Sequence, residues 1–467
     1  MTFRERATGA LRDEFLQEAL TIATTKFIGL RRDAFGDFPE GEALRDQARA
    51  IKEATLQRLD HWLERLVDHV ERLGGRVHYA TTAEEARDVV LDIARRTGAR
   101  MVVKSKSMAT EEIDLNEVLE RAGVTPVETD LGEYIIQLAH EKPSHIIAPA
   151  IHKTKGQVAD LFARELKRQV AADPEVLTRI AREELREKFL QADMGITGAN
   201  FVVAETGTVV LVTNEGNGRM ATSLPRVHVA IMGVEKVVPS MTDLMVFLAI
   251  LARSATGQKL SVYTTLVQGP RRPGELEGPD EFHLVLMDNG RTGQIAGPLR
   301  EALYCLRCGA CLNVCPVYRR IGGHAYGYTY PGPIGILLTA MLHGQRSVTE
   351  LAHASSLCGA CAEACPVRID IPRMLVELRR GGVESRNARW AERLAFRALA
   401  RVLASPGLYR LAGRLGRLLQ RPFARDGAIA RLPSMAGAWT RTRDLPAVAP
   451  RTFAERWADL ERESHQR

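Results

Sequence analysis

Cysteine is absent before position 305 and after position 365 of this 467-residue chain, and the seven present make an odd count. A disulfide framework is therefore excluded as the organising device, since a chain of this length buries its own core and an odd set cannot pair within itself. Long apolar runs are also missing. The longest purely apolar stretch, Leu244 to Ala252, falls far short of the roughly 20 residues that span a bilayer. The opening Met1-Thr2-Phe3-Arg4-Glu5-Arg6 lacks the apolar centre of a secretory signal. No G-x-x-x-x-G-K-[ST] occurs and no G-x-G-x-x-G opens a helix, so neither a P-loop nor a dinucleotide fingerprint is present. Hydride chemistry on a nicotinamide or flavin is accordingly expected elsewhere. These absences place the chain in a reducing cytoplasm, where free thiols persist.

What is present is concentrated. The first cysteine run reads Cys305-x2-Cys308-x2-Cys311-x3-Cys315-Pro316 and the second reads Cys358-x2-Cys361-x3-Cys365-Pro366. The spacing C-x2-C-x2-C-x3-C-P is that of bacterial [4Fe–4S] ferredoxins, in which the fourth cysteine reaches across to the other cluster. Zinc ribbons also use C-x2-C, but in two separated pairs rather than in triads closed by Cys-Pro. By the crossover rule, Cys305, Cys308, Cys311 and Cys365 hold one cluster, and Cys315, Cys358 and Cys361 hold a second. Gly309, Ala310, Gly359 and Ala360 are small, which lets backbone N–H groups approach inorganic sulfur.

Two cubane clusters need eight ligands, and seven thiols are available. Counting back from Cys358 by the same spacing lands on Ser355. The open iron has three fates: ligation by the Ser355 oxygen, ligation by water or a partner's group, or loss to leave a three-iron cluster. Against these stands the plain reading that Ser355 caps the turn entering the motif.

Residues 10–73 carry apolar positions at three- and four-residue intervals, among them Leu56, Leu59, Leu63, Leu66, Val67 and Val70, and Gly74-Gly75 stops that helical pattern. Short β-rich runs then alternate with helices: strands over 76–79, 101–103, 124–127 and 145–148, helices over 83–97, 110–122 and 131–138. Glu111 and Glu112 sit early in the 110–122 helix, where its dipole favours acids. Repeated strand–helix–strand units imply a mostly parallel sheet covered by helices on both faces. Residues 200–204 and 208–213, joined by Glu205-Thr206-Gly207, read as a strand pair added to that sheet. The domain plan is an N-terminal helical segment over 1–75, an α/β domain over 76–292, a cluster module over 293–378 that is helical in character, and an Arg-rich helical extension over 379–467.

Within the α/β domain, Lys104, Lys106, Thr129, Asp130, Glu133, His152, Glu205 and Arg219 are candidates to converge on a pocket near the strand ends. Each has an ordinary alternative as a solvated charge or supporting hydrogen-bond partner. The Gly-rich stretches 195–200 and 213–219 suit anion-cradling loops or simple turns. No catalytic residue is identified. Tyr304, Tyr318, Tyr326, Tyr328 and Tyr330 gather around the first cysteine run, where packing and shielding from water are the same physical act.

Between positions 379 and 431 there are thirteen arginines against three acidic residues, interleaved with Leu394, Leu399, Val402, Leu403, Leu411, Leu415, Leu418 and Leu419 at helical spacing. A helix face packed on the protein itself, a surface docked on a partner, and an interfacial segment on anionic lipid compete. Nucleic acid is disfavoured, because no recognition fold accompanies the charge.

Three further stretches, Glu128-Thr129-Asp130-Leu131-Gly132-Glu133, Pro143-Ser144-His145-Ile146-Ile147 and Ala204-Glu205-Thr206-Gly207-Thr208, resemble the LUD domain. Joined to the two cysteine runs and the Arg-rich tail, the whole is similar to the iron–sulfur lactate utilization protein B family. That resemblance implies a fold akin to sugar-phosphate isomerases and CoA transferases, without their chemistry. It also implies two [4Fe–4S] clusters and an electron-carrying subunit in oxidation of L-lactate to pyruvate, working beside a cysteine-rich iron–sulfur subunit and a second LUD-domain subunit. The alternatives are a LUD domain itself catalytic on a small 2-hydroxy acid with the clusters serving it, and service to another acid such as glycolate.

Overall fold

The computed structural model describes residues 1–384, 390–433, 437 and 439–465. It divides into two compact units, Met1–Gly382 and Val383–Arg467.

The first unit opens with four helices, α1 (Phe3–Ala10), α2 (Glu14–Gly36), α3 (Gly41–Gln57) and α4 (Leu59–Arg72). Asp13 caps α2 by accepting from the Leu16 N–H, and Thr2 forms a capping box with Glu5 on α1. The helical pattern ends as its glycines require, with Gly74 at φ 86°.

The chain then alternates β1 (Arg76–Ala80), α5 (Ala83–Thr97), β2 (Met101–Lys104), α6 (Met108–Glu112), α7 (Leu115–Arg121), β3 (Thr125–Glu128), α8 (Leu131–Leu138), α9 (Lys155–Glu165), α10 (Pro174–Gln191), β4 (Met194–Gly198), β5 (Phe201–Val203), β6 (Thr208–Thr213), α11 (Asn217–Ser223), β7 (Val227–Gly233), β8 (Val237–Val238), α12 (Met241–Thr256), β9 (Tyr263–Val267) and β10 (Glu281–Met287). Six strands form an all-parallel sheet in the order β1-β10-β7-β4-β2-β3. Its central strands read as continuous apolar runs because both faces are covered: β7 is buried at every position. From β2 the chain steps outward to β3, then returns through α8 to α10 to place β4 on the other side of β2. The carboxyl ends of β2 and β4 thus flank a topological switch point, where open parallel sheets form a crevice.

Three expectations are corrected. The 110–122 helix is two short helices broken at Asp114, which adopts φ 48°. The break leaves Glu112 at the end of α6, where both its carboxylate oxygens accept from the Arg291 guanidinium at 2.9 and 2.7 Å and one from the Tyr330 hydroxyl at 2.8 Å; ion pairing, rather than a helix dipole, fixes it. Residues 145–148 form no strand. The His145 ring turns the chain there, Nδ1 accepting from the backbone N–H of both Ile147 and Ala148, and Ser144 N–H closes the loop on the Pro149 carbonyl. The strands at 200–213 do pair, antiparallel to each other, yet they belong to a separate four-stranded sheet, β8-β5-β6-β9, because β5 and β6 spend their outer edges on β8 and β9.

The cluster module continues with α13 (Ala310–Val314), α14 (Tyr318–Ile321), α15 (Gly332–His343), α16 (Ala360–Ala364) and α17 (Ile371–Glu384). One continuous core joins it to α2, α3 and the four-stranded sheet: Leu20, Leu56, Phe247, Leu312, Tyr318, Ile336 and Leu375 all belong to it. The module meets the α/β domain closely at Gly323, where a Cβ would lie 1.9 Å from the Ser144 carbonyl oxygen. That oxygen also accepts from the Tyr318 hydroxyl at 2.7 Å, and Gly323 N–H donates to Ser144 Oγ. Gly323→Ala must push two backbones apart, so it should lower unfolding free energy by about 2 kcal/mol in a denaturant titration.

In the second unit, α18 (Trp390–Ala404) and α19 (Pro406–Leu419) are amphipathic helices, followed by β11 (Ala428–Ile429), β12 (Leu445–Pro446) and α20 (Phe453–His465). Leu394, Leu399, Leu403, Leu411, Leu415, Leu418 and Leu419 are exposed. No helix among the described residues is long and apolar enough to cross a membrane.

Candidate functional site

The two cysteine runs fold as one motif used twice. In each, a residue in the left-handed region (Arg307, φ 61°; Leu357, φ 55°) precedes Cys-Gly, the glycine is also left-handed (Gly309, φ 74°; Gly359, φ 87°), and one short helix follows, ending at the last cysteine before proline. Left-handed residues on either side of that cysteine bend the chain tightly, and the change from the left-handed glycine to the right-handed helix after it is the nest geometry that binds anionic groups. Superposing the motifs by position sets Cys308 against Cys358, Cys311 against Cys361, Cys315 against Cys365, and Cys305 against Ser355. The match at the last pair extends to the hydrogen bond: Cys305 Sγ accepts from Arg307 N–H at 3.3 Å, and Ser355 Oγ accepts from Leu357 N–H at 3.2 Å. Arg379 holds this second loop in place, donating to the carbonyls of Ala352 and Ser355 at 2.8 and 3.0 Å.

Helices α13 and α16 pack together, which brings the thiols into two neighbourhoods. Cys308 feels Cys305 and Cys365; Cys311 feels Cys305, Cys308, Cys361 and Cys365. Cys361 feels Cys315 and Cys358, and Cys315 feels Cys358. Burial pushes the thiols of Cys308 and Cys361 up to about 12 and that of Cys365 to about 11. Cys358 is exposed, and the Ala360 N–H and Ser356 hydroxyl hold its thiol below the usual value.

The charge around the first group fits an anionic cluster. Lys52 and Lys236 are buried with no carboxylate within 4.0 Å among the described residues: Lys52 Nζ donates to the Glu235 carbonyl and Lys236 Nζ to the Cys305 carbonyl at 3.4 Å. Arg307 pairs with Glu235 at 3.1 Å through one nitrogen, and its buried Nη1 has no partner among the described residues. Arg45 donates to the Cys365 carbonyl at 2.8 Å. Buried cations in excess of buried anions are costly unless a negative group sits among them. A thiolate-bound iron–sulfur cluster supplies that negative charge. Among the described residues no cation figures among the main charges acting on the thiols of the second group; Cys315 Sγ accepts from the Tyr318 N–H instead, with Tyr326 beside it.

A cavity of about 1030 Å³ opens at the carboxyl edge of the parallel sheet. The loop after β2 (Ser105, Lys106, Ser107), Asp130 after β3, the loop after β4 (Gly198, Ala199, Asn200) and Glu235 after β7 line it, and Arg307 and Cys308 close its inner end. Of the sequence-predicted pocket residues, Lys106 and Asp130 line the cavity. Lys104 lies beneath it, ion-paired to Glu128 at 2.5 Å, with the Thr129 hydroxyl on its carbonyl. Glu133 is buried beside that pair, and burial and its acidic neighbours raise its pKa well above the ordinary carboxylate value. His152 turns instead to Glu141, Glu205 lies in a separate depression with Trp62 and Asp243, and Arg219 is exposed. Sequence reading missed Lys52, Glu235, Lys236, Arg291 and Arg307. Only Arg307 carried a signal, its place inside the first C-x2-C.

The chain matches three family models: LUD domain over residues 63–287, 4Fe-4S dicluster domain over 301–369, and Lactate utilisation protein B, C-terminal, over 379–462. It is 44% identical to Lactate utilization protein B of Bacillus licheniformis over 99% of this chain and 97% of that protein. It is 44% identical to the protein of the same name from Bacillus subtilis strain 168, over 98% and 96%, and 46% identical to that of Geobacillus thermodenitrificans, over 97% and 96%. Among solved structures, a duf162 family protein from Deinococcus radiodurans aligns with 49% of this chain and 98% of its own, at 12% identity and a TM-score of 0.28.

Proposed function

The chain belongs to the lactate utilization protein B family, and from that premise we propose that it serves the oxidation of L-lactate to pyruvate as a cytoplasmic electron-carrying subunit. The observation that carries this reading is the interleaving of the two motifs, four thiols of one group and three of the other meeting where α13 packs on α16. Cys305, Cys308, Cys311 and Cys365 hold one [4Fe–4S] cluster; Cys315, Cys358 and Cys361 hold the other. The clusters, when bound, supply reversible one-electron storage. The chain's own residues bury the first group among cations and leave the second at the surface through Cys358. The exposed leucine faces of α18 and α19 suit docking on the other subunits, a cysteine-rich iron–sulfur protein and a second LUD-domain protein.

Ser355 Oγ is the fourth ligand of the second cluster in this reading, because it stands where Cys305 Sγ stands in the first motif and accepts the same hydrogen bond. Ser355→Ala should leave a three-iron cluster there, seen as a paramagnetic resonance signal in the oxidised protein, while Ser355→Cys keeps four irons. An unchanged second cluster in both variants removes Ser355 from the ligand set.

The relay is tested by adding subunits. The purified chain should not oxidise lactate with an artificial acceptor until its partner subunits are supplied. One observation favours a second reading: the cavity runs from the strand ends to Cys308, where a LUD domain that itself bound a 2-hydroxy acid would hold it. Lactate oxidation by the chain alone would select that reading.

A further inference from the structure

Away from the cysteines, three potential metal ligands from three separate segments come together. Glu141 follows α8, His152 precedes α9, and His324 belongs to the turn after α14 in the cluster module. One ligand atom of each lies within 4.8 Å of the others. Glu141 and His324 are exposed and His152 is half-buried as a residue, so the site is reachable from solvent.

The hydrogen bonds decide which imidazole nitrogens remain free. His324 Nε2 faces the Lys142 carbonyl at 2.7 Å. A carbonyl only accepts, so Nε2 carries the proton and Nδ1 keeps its lone pair. His152 Nε2 faces Glu141 Oε2 at 2.6 Å, and a carboxylate likewise takes the proton of a neutral ring. An ion that takes the place of that proton faces His152 Nε2 and Glu141 Oε2 together; the other ring nitrogen, Nδ1, is buried without a partner among the described residues. The two rings lie with centroids 4.5 Å apart. Histidines that ligate a metal tie their second nitrogen to a carbonyl or carboxylate, as His324 does to Lys142, which fixes tautomer and ring direction.

We infer that Glu141, His152 and His324 form a binding site for one zinc-class divalent ion, clamping the cluster module to the loop that borders the cavity. Two imidazoles with one carboxylate select zinc over calcium or magnesium, which prefer all-oxygen shells, and three protein ligands leave a position for water. The opposing charge is Lys153, whose Nζ lies 2.7 Å from Glu141 Oε1. It occupies the other carboxylate oxygen, so Oε2 passes from the His152 proton to the ion, the proton going to solvent, at a cost in affinity. Ala150, Ile151, Lys153, Thr154 and Lys155 line the cavity, so the ion would fix the rim of that cavity from outside.

The test uses the full chain, purified anaerobically with its iron and sulfide measured, then dialysed against zinc chloride. Wild type should retain one equivalent of zinc beyond its iron, and absorption at the zinc edge should give nitrogen and oxygen neighbours at about 2.0 Å with no sulfur. His324→Ala, at an exposed position, and the double variant His152→Ala/His324→Ala should lose that zinc with iron and sulfide unchanged. Zinc retained equally by the variants, sulfur at the zinc edge, or no zinc retained by cluster-replete wild type overturns the site.

Discussion

Cys365→Ala should strip the protein of the cluster held by Cys305, Cys308 and Cys311 and spare the one held by Cys315, Cys358 and Cys361, although Cys365 lies in the second run. Iron and sulfide should fall by about half, and the remaining signal on reduction should be that of a single cluster. The reasoning is geometric. Cys365 ends α16, and its thiol has Cys305 among its electrostatic neighbours, as Cys308 and Cys311 have Cys365. The reverse holds at the end of α13, where Cys315 feels Cys358 rather than the thiols that precede it in its own run. If each run held its own cluster, Cys315→Ala would remove the first cluster and Cys365→Ala would leave it intact.

Lys52→Met should lower the midpoint potential of the first cluster by on the order of 100 mV and leave the second within error. Lys52 is fully buried on α3, its ammonium bound to the Glu235 carbonyl, and the Cys305 thiolate is among the charges that act on it. Burial lowers its pKa to about 8, so it keeps its charge at neutral pH. A unit charge roughly 6 Å from another, at an effective dielectric near 20, contributes about 3 kcal/mol. A cation favours the more negative, reduced state, so removing it makes reduction harder. Methionine matches the length of the lysine stem, which limits the packing change. The measurement is a redox titration followed by paramagnetic resonance. A shift in the second cluster, or none in the first, would detach these cations from the first group. The same asymmetry orders the two centres: cations surround the buried group, whereas the second meets water at Cys358.

The repeat of the two cysteine runs was legible because their spacing is local, and each run folds through two left-handed residues and a single short helix. The helices and parallel strands of the α/β domain were legible for a similar reason; 83–97 and 131–138 carry their own periodicity and caps, Thr82 and Asp130. What failed depended on distant partners. Glu112 breaks its helix to reach Arg291, in a segment far along the chain. The 145–148 stretch has strand-like residues, but the His145 ring competes with the backbone for its own N–H groups. Lys52 and Lys236 were not legible at all, since nothing beside them in sequence announces that the Cys305 charge acts on them. Ser355 shows the intermediate case: its place was readable by counting, and its hydrogen bond, which matches that of Cys305, needed the fold.

Metal and sulfide analysis of the anaerobically purified full chain tests the central claim most directly, that the seven thiols and Ser355 enclose two iron–sulfur clusters. About eight irons and eight sulfides per chain, with a brown colour bleached on reduction, is the predicted result. Colourless protein carrying zinc on these cysteines, with no sulfide, would contradict it.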